Sequence, residues 1–150
     1  MSIQFTSKKV GELLKEGNLR IPSYQRPYKW NRKHIRNLFY DLRDAMEKKE
    51  YQVGSVIFHD NGGYLDIVDG QQRLISISLF LHSLEKLKDY EGANQLLGAE
   101  FGEISCYHAS ENYNEWENLT QLVGTSQAKD ICEFLLENCS ISCIIMPEER

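Results

Sequence analysis

Apolar positions along this chain recur at helical spacing in some stretches and at strand spacing in others, and the changes of period mark its elements. Val10, Leu13 and Leu14 share one face of a short first helix predicted over Ser7–Glu16, with Gly17 as its stop. Leu19 to Ile21 predicts a brief strand ended by Pro22. Residues 21–30, Ile-Pro-Ser-Tyr-Gln-Arg-Pro-Tyr-Lys-Trp, hold two prolines and predict an extended loop of fixed shape. Asn31 is a good N-cap for a second helix reaching about Lys49. Ile35, Leu38, Phe39, Leu42 and Met46 form its buried stripe.

Tyr51 to His59 is apolar on both parities, with Val53 and Ile57 opposite Val56 and Phe58, which predicts a strand covered on both faces. Asp60-Asn61-Gly62-Gly63 is a turn signal, so this strand should form a hairpin with Tyr64 to Val68. Asp69-Gly70-Gln71-Gln72-Arg73 comes next, then a strongly apolar helical stretch from Leu74 to Leu87. Asp89 to Thr125 is polar and poorly periodic, with aromatic islands at Tyr107, Tyr113 and Trp116, and reads as loose helices or an insertion. Ser126 starts an amphipathic helix through Ile131, Leu135 and Leu136, and Ser140 to Met146 reads as a final strand. The chain stops at Arg150, four residues later, which suggests a piece of a longer protein.

Composition adds class. At 41% hydrophobic and 26% charged residues, the chain is of ordinary globular type with room for one modest core. Its start lacks the apolar segment of a signal peptide, and no apolar run is long enough to span a bilayer. A cytoplasmic protein with no membrane partner is the expectation. Cys106, Cys132, Cys139 and Cys143 lack a paired zinc-knuckle spacing and read as buried reduced thiols, with Cys139 and Cys143 on one strand face.

The net charge of −5 hides an asymmetry: residues 1–50 carry +6 and residues 51–150 carry −11. Arg20, Arg26, Lys29, Arg32, Lys33 and Arg36 fall in one stretch without an acidic residue, interleaved with Tyr24, Tyr28 and Trp30. Such a segment suits nucleic-acid phosphates and bases, and equally suits a solvated helix start beside a packed aromatic turn.

The strand–glycine–helix order at residues 64–74 carries the sharpest chemistry. A helix N-terminus offers unpaired amides and the positive end of the helix dipole to phosphate, and Arg73 adds a cationic fork. The competing reading is a capping box, with Asp69 as N-cap and Gln72 as its reciprocal partner. Glycine is a poor stabiliser at such a helix start, which favours close approach of a ligand to the backbone.

Residues 21–30 and, some forty residues later, Asp-Gly-Gln-Gln-Arg-Leu at 69–74 resemble the DGQQR-motif family. These are GmrS-like N-terminal domains, related to ParB and sulfiredoxin, of bacterial modification-dependent restriction and phage-defence proteins. The resemblance is good over roughly residues 6–88 and weak beyond. It implies an α/β (α+β) fold, a small ParB/sulfiredoxin-like mixed sheet with packed helices over residues 1–88. Residues 89–150 are then a mostly helical extension with the terminal strand.

The resemblance also implies binding and hydrolysis of a nucleoside triphosphate, GTP or ATP with Mg²⁺, coupled to cleavage of modified DNA by a downstream or partner nuclease domain. Asp69, Gly70, Gln71, Gln72 and Arg73 match the hydrolysis motif; Tyr24, Gln25, Arg26 and Trp30 match the upstream box. Gly70 and the amides of Gln71 and Gln72 would cradle phosphates, and Arg73 and Arg26 would neutralise developing charge. Asp69 would hold Mg²⁺ or orient water, and a glutamine side chain would position the attacking water. The family's later Phe-x-x-x-Asn-x-x-Gly-like box and His-Asn-His nuclease domain have no counterpart here. Two other readings stand beside this one: a non-catalytic DNA-binding module using Arg32, Lys33 and Arg36, and a ParB-like nuclease, for which no compact cluster of carboxylates and histidines is present.

Overall fold

The first element departs from its local pattern. The computed structural model describes residues 2–22, 28–48, 50–103 and 107–147. In it Gln4–Lys9 is strand β1, and helix α1 is only Val10–Lys15. Ser7, Lys8 and Lys9, expected in the helix, pair instead with Ser142, Ile141 and Ser140 near the other end of the chain. Long-range pairing overrides a weak local preference there. Val10, Leu13 and Leu14 are fully buried as expected.

The remaining elements keep the predicted order. They are β2 (Leu19–Arg20), α2 (Arg32–Ala45, extended by a 3₁₀ turn Met46–Lys48), β3 (Tyr51–Asn61), β4 (Tyr64–Asp69), α3 (Gln71–Ser83), α4 (Glu91–Glu103), α5 (Tyr107–Val123), α6 (Thr125–Asn138) and β5 (Cys139–Met146). The strands form one mixed sheet in the order β1-β5-β3-β4-β2, so the fold is α/β as expected. β5, last in the chain, lies inside the sheet, antiparallel to β1 and parallel to β3. β3 and β4 form the expected hairpin, with Asn61 opposite Tyr64.

β3 is not covered on both faces. Its pairing with β5 slips between Gln52 and Gly54, and its pairing with β4 slips between Ile57 and Phe58. A bulge adds a residue and reverses the parity of the positions after it. Val53 at the first slip and Val56 and Phe58 after it are therefore all buried, although their spacing mixes odd and even. The other side of the sheet carries Phe5, Ile144 and Ile57 in register, and Phe5 is 75% exposed.

Residues before and after position 88 share one hydrophobic core. The polar stretch from Asp89 to Thr125 supplies α4 and α5, and Trp116 on α5 is fully buried. Its ring stacks on Phe80 of α3 at 4.1 Å and 13°, and its Nε1 donates to the Ser76 carbonyl at 2.9 Å. Leu74 through Leu81 of α3 are all buried, which accounts for the almost unbroken apolar run there. Among the described residues, no helix is long and apolar enough to cross a membrane.

Candidate functional site

The turn between β4 and α3 is built around Gly70. Its φ of 102° is left-handed, and a Cβ there would stand 2.9 Å from the Ser55 carbonyl oxygen and 3.0 Å from Val56 Cα. Both the conformation and the crowding require glycine. Gly70 is the N-cap of α3 and contributes no side-chain cap. The capping box, the competing reading of this turn, is absent. Asp69 is exposed and lies at the end of β4, opposite Ile57. Gln72 reaches away from the turn, and its Oε1 accepts from the backbone N–H of Lys29 at 2.7 Å and of Trp30 at 3.2 Å. Gln71 is buried, at 5% exposure, so the two glutamines differ in surroundings.

Gln72 therefore ties the upstream box to the Asp-Gly-Gln-Gln-Arg turn through the backbone of residues 29 and 30. Asn112 of α5 makes the second tie. It is fully buried, and its Nδ2 donates to the Tyr28 hydroxyl at 2.9 Å and to the Trp30 carbonyl at 2.7 Å. The Tyr28 hydroxyl also lies 2.6 Å from Ser76 Oγ on α3. Tyr28 is thus a packed, hydrogen-bonded core residue. Tyr24, Gln25 and Arg26 lie outside the described residues.

Arg73 projects from the first turn of α3 across β3. Its guanidinium lies against Gly54, which has a φ of 137°, at the first bulge. Arg73 Cζ is 5.7 Å from the centroid of the Trp30 ring, within cation–π range. Trp30 stacks in turn on His34, with centroids 5.1 Å apart and planes at 19°. His34 belongs to the start of α2, where Asn31 is the N-cap as expected, accepting from the N–H of Lys33 at 3.0 Å and of His34 at 3.3 Å.

These groups border a cleft of about 220 Å³ whose polar lining is Trp30, His34, Asn37, Asp41, Tyr51 and Arg73. Burial first, and then the negative charge of Asp41, push the Tyr51 phenol above its ordinary value, while Arg73 acts in the opposite direction. Asn37, Asp41, Tyr51, His34, Gly54 and Asn112 were not among the candidates drawn from sequence. Gly54 did carry a signal, since a lone glycine inside an apolar strand marks a bulge or a close approach.

The basic segment is spread over different partners. Arg20 holds Asp66 through two hydrogen bonds of 2.6 and 3.0 Å and lies over the Tyr64 ring. Arg32 faces Glu111 at 3.6 Å and Arg36 faces Glu115 at 3.8 Å, both carboxylates coming from α5. Lys33 is exposed between them. Burial pushes the thiols of Cys132 and Cys139 up to about 12 and raises that of Cys143, so these three are inert core groups. Cys106 lies outside the described residues.

No curated protein matches the chain by sequence. A family model does match, that of the GmrSD restriction endonuclease N-terminal domain, over residues 10–145. That span takes in the Asp-Gly-Gln-Gln-Arg turn, both ties to the upstream box and all but the last residue of the interior strand β5. The chain belongs to the family of GmrSD restriction endonuclease N-terminal domains.

Proposed function

We propose that this domain binds and hydrolyses a nucleoside triphosphate at Asp69–Arg73, and that the activity is coupled to cleavage of modified DNA by a nuclease domain. The observation that carries the reading is the placement of Arg73. Its guanidinium is fixed between Gly54 and Trp30 on the first turn of a helix whose N-cap, Gly70, supplies no side-chain cap. A guanidinium on the first turn of a helix, beside the positive end of its dipole, suits phosphate oxygens and the charge that develops in phosphoryl transfer. Restriction, in the family's name, supplies the DNA context.

The residues present also fit Mg²⁺. Among the described residues no three His, Cys, Asp or Glu side chains converge, and Asp69 offers one exposed carboxylate. Mg²⁺ is commonly held by one or two carboxylates together with phosphate oxygens and water, so it would arrive with the triphosphate and neutralise its charge. Asp69 would hold the metal or orient a water, and Arg73 would stabilise the charge of the transferred group. Gln72 holds Trp30 in place; it is engaged by backbone amides, which leaves water positioning to Gln71 or Asp69.

Phosphate release from GTP and ATP with Mg²⁺, in the domain joined to its nuclease, tests the reading. Arg73→Ala and Asp69→Ala should each lower turnover by about two orders of magnitude. Turnover unchanged in both variants would overturn it.

A further inference from the structure

The face of the sheet turned away from the helices carries two rows of side chains with opposite relief. Phe5 pairs with Ile144 and Ile144 with Ile57, so these three stand in one row across β1, β5 and β3. Ser7 pairs with Ser142 and Ser142 with Ser55, which sets a second row two residues away along each strand, on the same face. Every position of the first row is large and apolar, and every position of the second is small, so a ridge runs beside a groove. Phe5, at 75%, is the most exposed large apolar side chain among the described residues. A hollow of about 430 Å³ is bordered by Phe5, Ser7, Ser142 and Ile144, where ridge meets groove. The helix side of the same strands, with Val56, Phe58, Ile141 and Cys143, is buried. β3 and β5 run parallel, and parallel pairs are as a rule covered on both faces. This pair is covered on one.

We propose that this face binds a second copy of the chain, the two sheets stacking face to face with the ridge of each in the groove of the other. A two-fold axis that crosses the strands between the two rows brings Phe5 over the partner's Ser7, Ile144 over the partner's Ser142 and Ile57 over the partner's Ser55. The same axis returns each contact in reverse, which is the isologous pairing that closes a dimer. Large side chains set over small ones are how the inner faces of two sheets interdigitate, about 10 Å apart. The six residues of the two rows are uncharged, so the copies meet without like-charge repulsion there. The groove is narrowed at Ser142, where the Gln52 amide donates to the serine hydroxyl at 2.7 Å. It is open at Ser7, which makes Phe5 on Ser7 the central contact. Five strands about 4.8 Å apart and six residues rising about 3.3 Å each give a face of about 24 by 20 Å. That is about 500 Å² for each copy and about 1,000 Å² for the pair, the size at which a specific interface begins. Its dissociation constant should accordingly fall at about 1–100 μM.

The test is the oligomeric state of the full chain, by sedimentation velocity at about 1 to 500 μM. The wild type should pass from monomer to dimer across that range. Phe5→Glu should stay monomeric with unchanged thermal unfolding, because the ring is exposed in the single copy. Ser7→Leu separates a fitted interface from a merely adhesive one. It adds apolar surface at an exposed position, so general adhesion would strengthen. A filled groove excludes the partner's Phe5, and the dimer should weaken at least about tenfold. Ser7→Ala keeps the groove and should dimerise like the wild type. A wild type that stays monomeric at the highest concentration would overturn the proposal, as would a dimer unaffected by Phe5→Glu or strengthened by Ser7→Leu. A monomeric wild type that binds a nuclease domain, with that binding lost in Phe5→Glu, would overturn the second copy and give the face to that domain.

Discussion

The guanidinium of Arg73 occupies the space that a side chain on Gly54 would fill. Two features of the chain meet there: a bulge in β3 that turns Gly54 to a φ of 137°, and the first turn of α3, which aims Arg73 across the strand. Bulges recur beside functional sites because they re-aim the side chains that lie over them.

Gly54→Ala should therefore act at a distance on phosphate chemistry. The new methyl displaces Arg73 from Trp30 and also meets backbone strain at positive φ, of about 1–3 kcal/mol. Turnover should fall nearly as far as in Arg73→Ala. Thermal unfolding of both single variants and the double variant separates the effects: the steric part of the stability loss should vanish when Arg73 is already truncated, and the strain should remain. Strict additivity would show that the two residues do not contact each other in solution.

Gln72 supports a sharper pair of substitutions. Its Oε1 holds the N–H groups of Lys29 and Trp30, so Gln72→Ala removes their acceptor and should cost about 1–2 kcal/mol. Gln72→Glu keeps an acceptor of the same shape and should retain most of that stability. It also adds a negative charge to the first turn of α3, against the positive end of the helix dipole, so triphosphate affinity should fall about tenfold or more. Denaturant unfolding and nucleotide binding, measured on both variants, check the split. Unchanged affinity in Gln72→Glu would place the phosphates elsewhere.

How far the sequence could be read depended on whether an interaction was local. Asn31 as N-cap, the stripe of α2, the β3–β4 hairpin and the Asp-Gly-Gln-Gln-Arg turn all rest on spacing within a few residues, and all were legible. β1 was hidden because its partner, β5, lies at the far end of the chain. α5 read as part of loose helices or an insertion because its buried stripe, Ala109, Asn112, Trp116 and Leu119, keeps helical spacing but fills two positions with a small and a polar residue, while Trp116 anchors it. The capping box failed for a geometric reason: Gly70 takes the cap position, and Gln72 is drawn to a loop far away in sequence. The cleft residues Asn37 and Asp41 lie outside the apolar stripe of α2, and nothing local reveals that Val53 of β3 and Arg73 line the same cleft.

Asp66 gives a pH dependence with a defined sign. The hydrogen-bonded Arg20 guanidinium, helped by the Asn61 amide at 3.1 Å, holds its carboxyl below the ordinary 3.8, and burial opposes them. A carboxyl lowered in the folded state adds stability above its unfolded value and loses it as pH falls through the folded one. Arg20→Ala should cost about 1–2 kcal/mol at neutral pH, and the gap to wild type should close below pH 3.8. Chemical denaturation at neutral and acidic pH measures it. A gap independent of pH would mean that Arg20 acts by packing on Tyr64 rather than through Asp66.

The basic face of α2 is the remaining route to DNA, and α5 sets its strength. Glu111 and Glu115 stand 3.6 and 3.8 Å from Arg32 and Arg36, distances at which charge is offset without a tight hydrogen bond. The arginines are about half exposed, so each pair contributes only about 0–1 kcal/mol to stability. Their effect on an anionic partner is larger, because two carboxylates cancel two of the three charges that Arg32, Lys33 and Arg36 present. If this face contacts DNA, Glu111→Gln with Glu115→Gln should raise duplex affinity several-fold at low salt without lowering the unfolding temperature appreciably. The gain should shrink as salt rises, since counterion release and screening govern such contacts. Charge reversal at Arg32, Lys33 and Arg36 should move affinity the other way, with a shallower salt slope. Fluorescence polarisation across a salt series checks both, and indifference to both sets of variants would remove α2 from the DNA interface.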